Sequence, residues 1–115
     1  MLTKQKVAPR REIFNCKNEV YITFDANKKE QEFTLTLTSE EEACSFAACL
    51  EKLLKEVDMK GSYKDMRVGI FTDQRKRCGS IRMKERKFNF TCKEGTDARV
   101  FHDAFSYEVW GNTAD

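Results

Sequence analysis

The chain has 115 residues, 40% hydrophobic and 35% charged, with one Pro and five Gly, a balance that excludes a disordered or low-complexity chain and fits one domain around one core. Its formal net charge of +2 hides an uneven distribution: residues 61–95 carry ten Lys/Arg against four Asp/Glu, whereas residues 39–60 and 96–115 are each net acidic. No apolar run reaches the roughly 18 residues a membrane helix requires, and Met1–Lys6 leads into no apolar signal core, so the expectation is an intracellular protein, cytoplasmic or nuclear, without a membrane segment.

Residues 1–10, with Pro9, read as a loose arm before a single domain over 11–115. A short strand is expected around Glu12–Cys16, turning at Asn15-Cys16-Lys17-Asn18. Val20, Ile22 and Phe24 then alternate with Tyr21 and Thr23, and after a turn at Asp25–Lys29, Phe33, Leu35 and Leu37 alternate with threonines; both are strands with one buried face. Ser39-Glu40-Glu41-Glu42 is a capping box that opens a helix. Phe46, Leu50, Leu53, Leu54 and Val57 carry that helix at three- and four-residue spacing to about residue 57, and Gly61 stops it. Beyond it, Val68 and Ile70 oppose Arg67, Gly69 and Phe71, while Ile81 and Met83 oppose Arg82 and Lys84. The apolar phase slips at Glu85-Arg86, which marks a turn, and Phe88, Phe90 and Cys92 then oppose Lys87, Asn89 and Thr91. Thr96-Asp97 opens a last helix, with Phe101, Ala104, Phe105 and Val109 on one face and Gly111 at its end.

The fold class expected is α+β: an antiparallel sheet of about six strands with two helices on one face, pseudo-duplicated as β-β-β-α over 11–60 and 61–115. Phe33-Thr34-Leu35-Thr36 superposes on Phe88-Asn89-Phe90-Thr91, and Ala43 and Phe46 on Ala98 and Phe101. Cys16, Cys44, Cys49, Cys78 and Cys92 lack the spacing of zinc sites or of a disulfide scaffold and are expected to be reduced and mostly buried. The single histidine, His102, reads as a surface imidazole, and no phosphate-loop or dinucleotide motif is present. The expectation is a protein without catalytic residues, metal or cofactor.

If the helices cover one sheet face, the other displays Arg67, Gly69, Phe71, Arg82, Lys84, Lys87 and Asn89, with Arg75, Lys76 and Arg77 on the connecting turn. Cations around an exposed ring suit single-stranded nucleic acid, because cations follow phosphates and a ring stacks on any base. The first half offers Tyr21, Thr23, Thr34 and Thr36 at the same phase, hence a ring and hydroxyls but little charge. Polar alternation alone also describes any sheet with one wet face.

Residues 67–110, RVGIFTDQRKRCGSIRMKERKFNFTCKEGTDARVFHDAFSYEVW, resemble a PUR repeat: a strand, a basic turn ending in Gly, a strand of the I-R-M type, another strand, then a helix of the F-x-x-A-F kind. Whirly proteins share this plan of strands followed by a helix. The resemblance implies a sheet that binds single-stranded DNA or RNA and a tendency of repeats to pair within or between chains, so that a homodimer is a further expectation. It carries the family's basic turn over to Arg75, Lys76 and Arg77, and the following strand to Arg82 and Lys84. The alternative reading is a protein-interaction module with no nucleic-acid role, docking a partner through acidic helices that bear Glu51 and Glu56, or through a strand edge. Tyr107 and Trp110 are candidate contact residues in either case, or close the core.

Overall fold

Alternating apolar residues can bury only one side of a strand, and six such strands pair here into one antiparallel sheet. The structure, a computed structural model, describes residues 11–24, 30–60 and 67–111; the expected arm at 1–10, the turn at 25–29 and the helix stop at Gly61 lie outside them. In chain order the elements are β1 (Glu12–Cys16), β2 (Glu19–Phe24), β3 (Gln31–Leu37), α1 (Glu40–Lys60), β4 (Val68–Asp73), β5 (Cys78–Met83), β6 (Arg86–Cys92) and α2 (Ala98–Trp110).

The strands lie in the order β1-β2-β3-β6-β5-β4, with every neighbouring pair antiparallel. Exchanging β1-β2-β3 with β4-β5-β6 leaves this order unchanged. Thr36 faces Thr91 across the central β3–β6 pair, so equivalent positions of the two halves meet at the middle of the sheet. Both helices lie on the same face, α1 mainly across β1 and β2, and α2 against β4.

Local chemistry sets the helix ends. Ser39 Oγ accepts from Glu42 N at 3.1 Å, as the capping box requires, and three glutamates occupy the positive end of α1. Asp97 caps α2 by accepting from Arg99 N and Val100 N at 2.8 and 3.0 Å. Gly111, at φ 81°, ends it in the left-handed region with its N–H donated to the Tyr107 carbonyl. α1 runs three residues beyond its last buried apolar residue, Val57.

Seven of the nine phenylalanines are buried between sheet and helices. Phe101 is their hub, meeting Phe33 and Phe90 edge-on at 5.1 and 5.7 Å and Phe105 at 6.2 Å; Phe46 of α1 meets Phe88 of β6 at 5.3 Å. Each buried ring contributes about 2–3 kcal/mol of transfer free energy, and edge-on geometry adds to it. Trp110 closes this core against Phe105 at 5.9 Å, so it serves packing in the folded chain, while Tyr107 is half-buried.

Two expectations about single residues are corrected. All five cysteines are free, but only Cys92 is buried: Cys16 and Cys44 are exposed, and Cys49 and Cys78 are half-buried, because they fall on wet sheet positions or at the flanks of the helix stripe. Burial pushes the Cys92 thiol up to about 11. His102 is not a plain surface imidazole either. It lies on the side of α2 that meets β4, and its Nδ1 is 2.9 Å from Thr72 Oγ1.

Candidate nucleic-acid interface

The sheet face opposite the helices is assembled from strand positions in the second phase of the alternation. In the second half, Phe71 of β4 pairs with Ser80 of β5, which pairs with Asn89 of β6; one step along the strands, Gly69 pairs with Arg82 and Arg82 with Lys87. Phe71 is 64% exposed. Arg82 and Lys87 are also exposed, like charges set directly opposite one another, an arrangement that costs stability in a sheet. Gly69 beside them leaves a bare patch of backbone, since a Cβ there meets nothing within 4 Å.

At the other end of the β4–β5 hairpin lies the basic turn. Asp73 Oδ1 accepts from Arg75 N and Lys76 N at 3.1 and 3.3 Å, and Arg77 takes the left-handed φ of 52° that closes the turn onto β5. The side chains of Arg75, Lys76 and Arg77 are exposed. Phe71 therefore stands midway along the hairpin, with cations at both ends, about 17 Å of strand separating Arg82 from Arg77.

The equivalent row of the first half is Phe14, Tyr21 and Thr34, on β1, β2 and β3. Phe14 is 54% exposed and stacks on Tyr21 at 5.2 Å with rings 17° from parallel. The two phenylalanines outside the core thus occupy corresponding places on the two edge strands. Phe14 is not among the sequence candidates, because Ile13 and Phe14 are adjacent apolar residues in a five-residue strand, and alternation alone does not say which of them faces the core. Its pairing with Tyr21 is the signal that finds it.

Charge divides the open face. Where the second half has Lys87 and Arg82, the first has Glu32 and Thr23, and Glu12 lies beside them. Near the centre, Glu19 accepts from the Tyr21 hydroxyl at 2.5 Å and pairs with Lys93 Nζ at 3.2 Å. The Tyr21 hydrogen bond, aided by Lys93, holds the Glu19 carboxyl below its ordinary range, and the same bond raises the Tyr21 hydroxyl.

The remaining sequence candidates do not join this face. The β5 alternation, carried on to Lys84, predicts the open face, but β5 ends at Met83. Lys84 instead begins the two-residue turn Lys84-Glu85 at φ 61°, and its Nζ lies 3.7 Å from Glu56 of α1, on the helix side. Arg67 precedes β4 and, with Lys84, borders a cleft under α1. The open face therefore holds Phe71, Arg82 and Lys87, with Arg75, Lys76 and Arg77 at its end, while Arg67 and Lys84 belong to another surface. No helix among the described residues is long and apolar enough to cross a membrane. No protein-family model, curated protein or solved structure matches this chain, so what the interface does rests on its own geometry.

Proposed function

We propose that this chain is a non-catalytic domain that binds single-stranded DNA or RNA along the β4–β5 hairpin of the open sheet face. The observation that carries the reading is Phe71: a large ring, 64% exposed, between the Arg82–Lys87 pair and the Arg75-Lys76-Arg77 turn. Exposing such a ring forfeits burial, and facing two cations across strands adds repulsion; a base on the ring and phosphates at the cations relieve both. A duplex suits the surface less well, since its bases are stacked away from Phe71. The resemblance of residues 67–110 to a PUR repeat supports the same partner.

Fluorescence anisotropy of labelled single-stranded oligonucleotides tests the proposal. Binding is expected at micromolar or tighter affinity at low salt, falling about tenfold to a hundredfold between about 50 and about 200 mM salt, with duplex a poor competitor. Phe71→Ala should cost about 1–3 kcal/mol, and Arg82→Ala should weaken all sequences alike and flatten the salt slope by about one unit. Lys84→Ala, on the helix side, should leave affinity unchanged. Absence of binding at low salt, or loss from Lys84→Ala equal to that from Arg82→Ala, overturns the proposal.

A further inference from the structure

The cations of residues 67–93 are divided by the fold between two surfaces, and the second is a cleft of about 340 Å³ between the C-terminal half of α1 and the β5–β6 turn. That volume lies within the range of small-molecule sites. Its floor is apolar: Leu53, Val68 and Met83, with the half-buried thiol of Cys49 in the wall. Its rim is cationic, with Lys52, Arg67, Lys84 and Arg86 against Glu56 and Glu85.

The two carboxylates do not satisfy Lys52, Lys84 and Arg86. Lys84 Nζ is 3.7 Å from Glu56, and Arg86, whose guanidinium lies 4.7 Å from the centre of the Phe88 ring, is 3.5 Å from Glu42; both ion-pair distances exceed the roughly 2.8 Å of a charge-assisted hydrogen bond. Lys52 makes no ion pair among the described residues. Lys84 is held at this mouth by a left-handed φ that non-glycine residues rarely adopt. A hydrocarbon alone would leave the rim unused, a bare anion would leave the floor unused, and a cation would be repelled.

We propose that the cleft binds a small amphipathic carboxylate, its apolar body on Leu53, Val68 and Met83 and its carboxylate at Lys52, Lys84 and Arg86. At roughly 30 Å³ for each water-sized group, the volume accommodates about ten heavy atoms, which octanoate supplies. This site is separate from the nucleic-acid face and does not depend on that reading.

Octanoate, octan-1-ol and acetate, each titrated into the full chain by calorimetry, compare the amphipathic anion with its apolar and anionic parts. Alkylation of the native protein by iodoacetamide, mapped by mass spectrometry, reports the position, since Cys49 lines the cleft and Cys44 is exposed on the same helix. Octanoate should bind once per chain and slow alkylation of Cys49 while leaving Cys44 unchanged. Octan-1-ol and acetate should each bind at least about tenfold more weakly, and the surface variants Lys52→Ala and Lys84→Ala should each lose several-fold affinity for octanoate. Equal protection by octan-1-ol, or an alkylation rate at Cys49 that octanoate does not change, overturns the assignment.

Discussion

Tyr21 lies flat against Phe14, and its hydroxyl is fixed by Glu19, so one hydrogen bond orients half of the aromatic surface in the first half of the sheet. The bond couples two titrations. Glu19 is lowered from the ordinary 4.5, so its contribution to stability is present above that pH and is lost as the pH falls through the lowered value in the folded chain. Tyr21 is raised from the ordinary 10.0, so its contribution is present below that pH and is lost as the pH rises through the raised value. Both groups are partly exposed, which keeps the energetic effect small, but the ionisation itself is measurable. Replacing Glu19 by Gln removes the charge that opposes formation of the phenolate. An ultraviolet absorbance titration of Glu19→Gln should therefore show one tyrosine ionising at lower pH than in the parent chain; superimposable curves would mean that the bond does not form in solution.

Within the elements, glycine and turn chemistry separate what the sequence reveals from what it hides. Gly79 lies in β5 between Thr72 and Phe90, and a Cβ there would stand 2.2 Å from the Phe71 carbonyl oxygen and 2.9 Å from Phe90 Cζ. The first of these is backbone and cannot rotate away. Gly79→Ala should destabilise the fold by about 1–3 kcal/mol through overpacking, whereas Gly69→Ala, with open space at its Cβ, should have little effect; chemical denaturation of the two variants checks the contrast. The strands and both helices were legible because alternation and capping act locally, as with Phe33-Thr34-Leu35-Thr36 and Ser39–Glu42. The turns were less so. Lys17, Arg77 and Lys84 take positive φ where Gly or Asn would have announced it. Extending a period of two through such a turn reverses the face assigned to a side chain, which is why alternation gives Lys84 the wrong face. Phe71 and Arg82, well inside β4 and β5, were placed on the right face. Cysteine exposure could not be read from residue type, since a thiol packs as readily beside a helix stripe as within it.

At the scale of the molecule, the two halves share a topology and differ in surface: the first presents Glu12 and Glu32 where the second presents Gly69 and Lys87. Among the described residues, a polyanion is therefore favoured over the second half of the open face. Behind the sheet, the halves are tied together at a place that neither periodicity nor motif reveals. Arg11, just before β1, donates from Nε to Glu108 of α2 at 2.7 Å and from Nη1 to Asp58 of α1 at 2.7 Å. Burial acts against the guanidinium charge, and the bonds to Asp58 and Glu108 outweigh it, leaving Arg11 raised. The two carboxylates are not equivalent. The Asp58 side chain is 54% exposed and that of Glu108 only 3%, so water can replace the guanidinium at the first but scarcely at the second. Arg11→Ala should cost about 2–4 kcal/mol, most of it from stranding the Glu108 carboxylate, whereas Asp58→Ala should cost under about 1 kcal/mol. The decisive variant is the double one: in Arg11→Met with Glu108→Leu no charge is left stranded, and thermal or denaturant unfolding should recover most of the loss. If the double variant is no more stable than Arg11→Ala, the contribution lies in the geometry with which Arg11 joins β1, α1 and α2, and the stranded carboxylate is not its source.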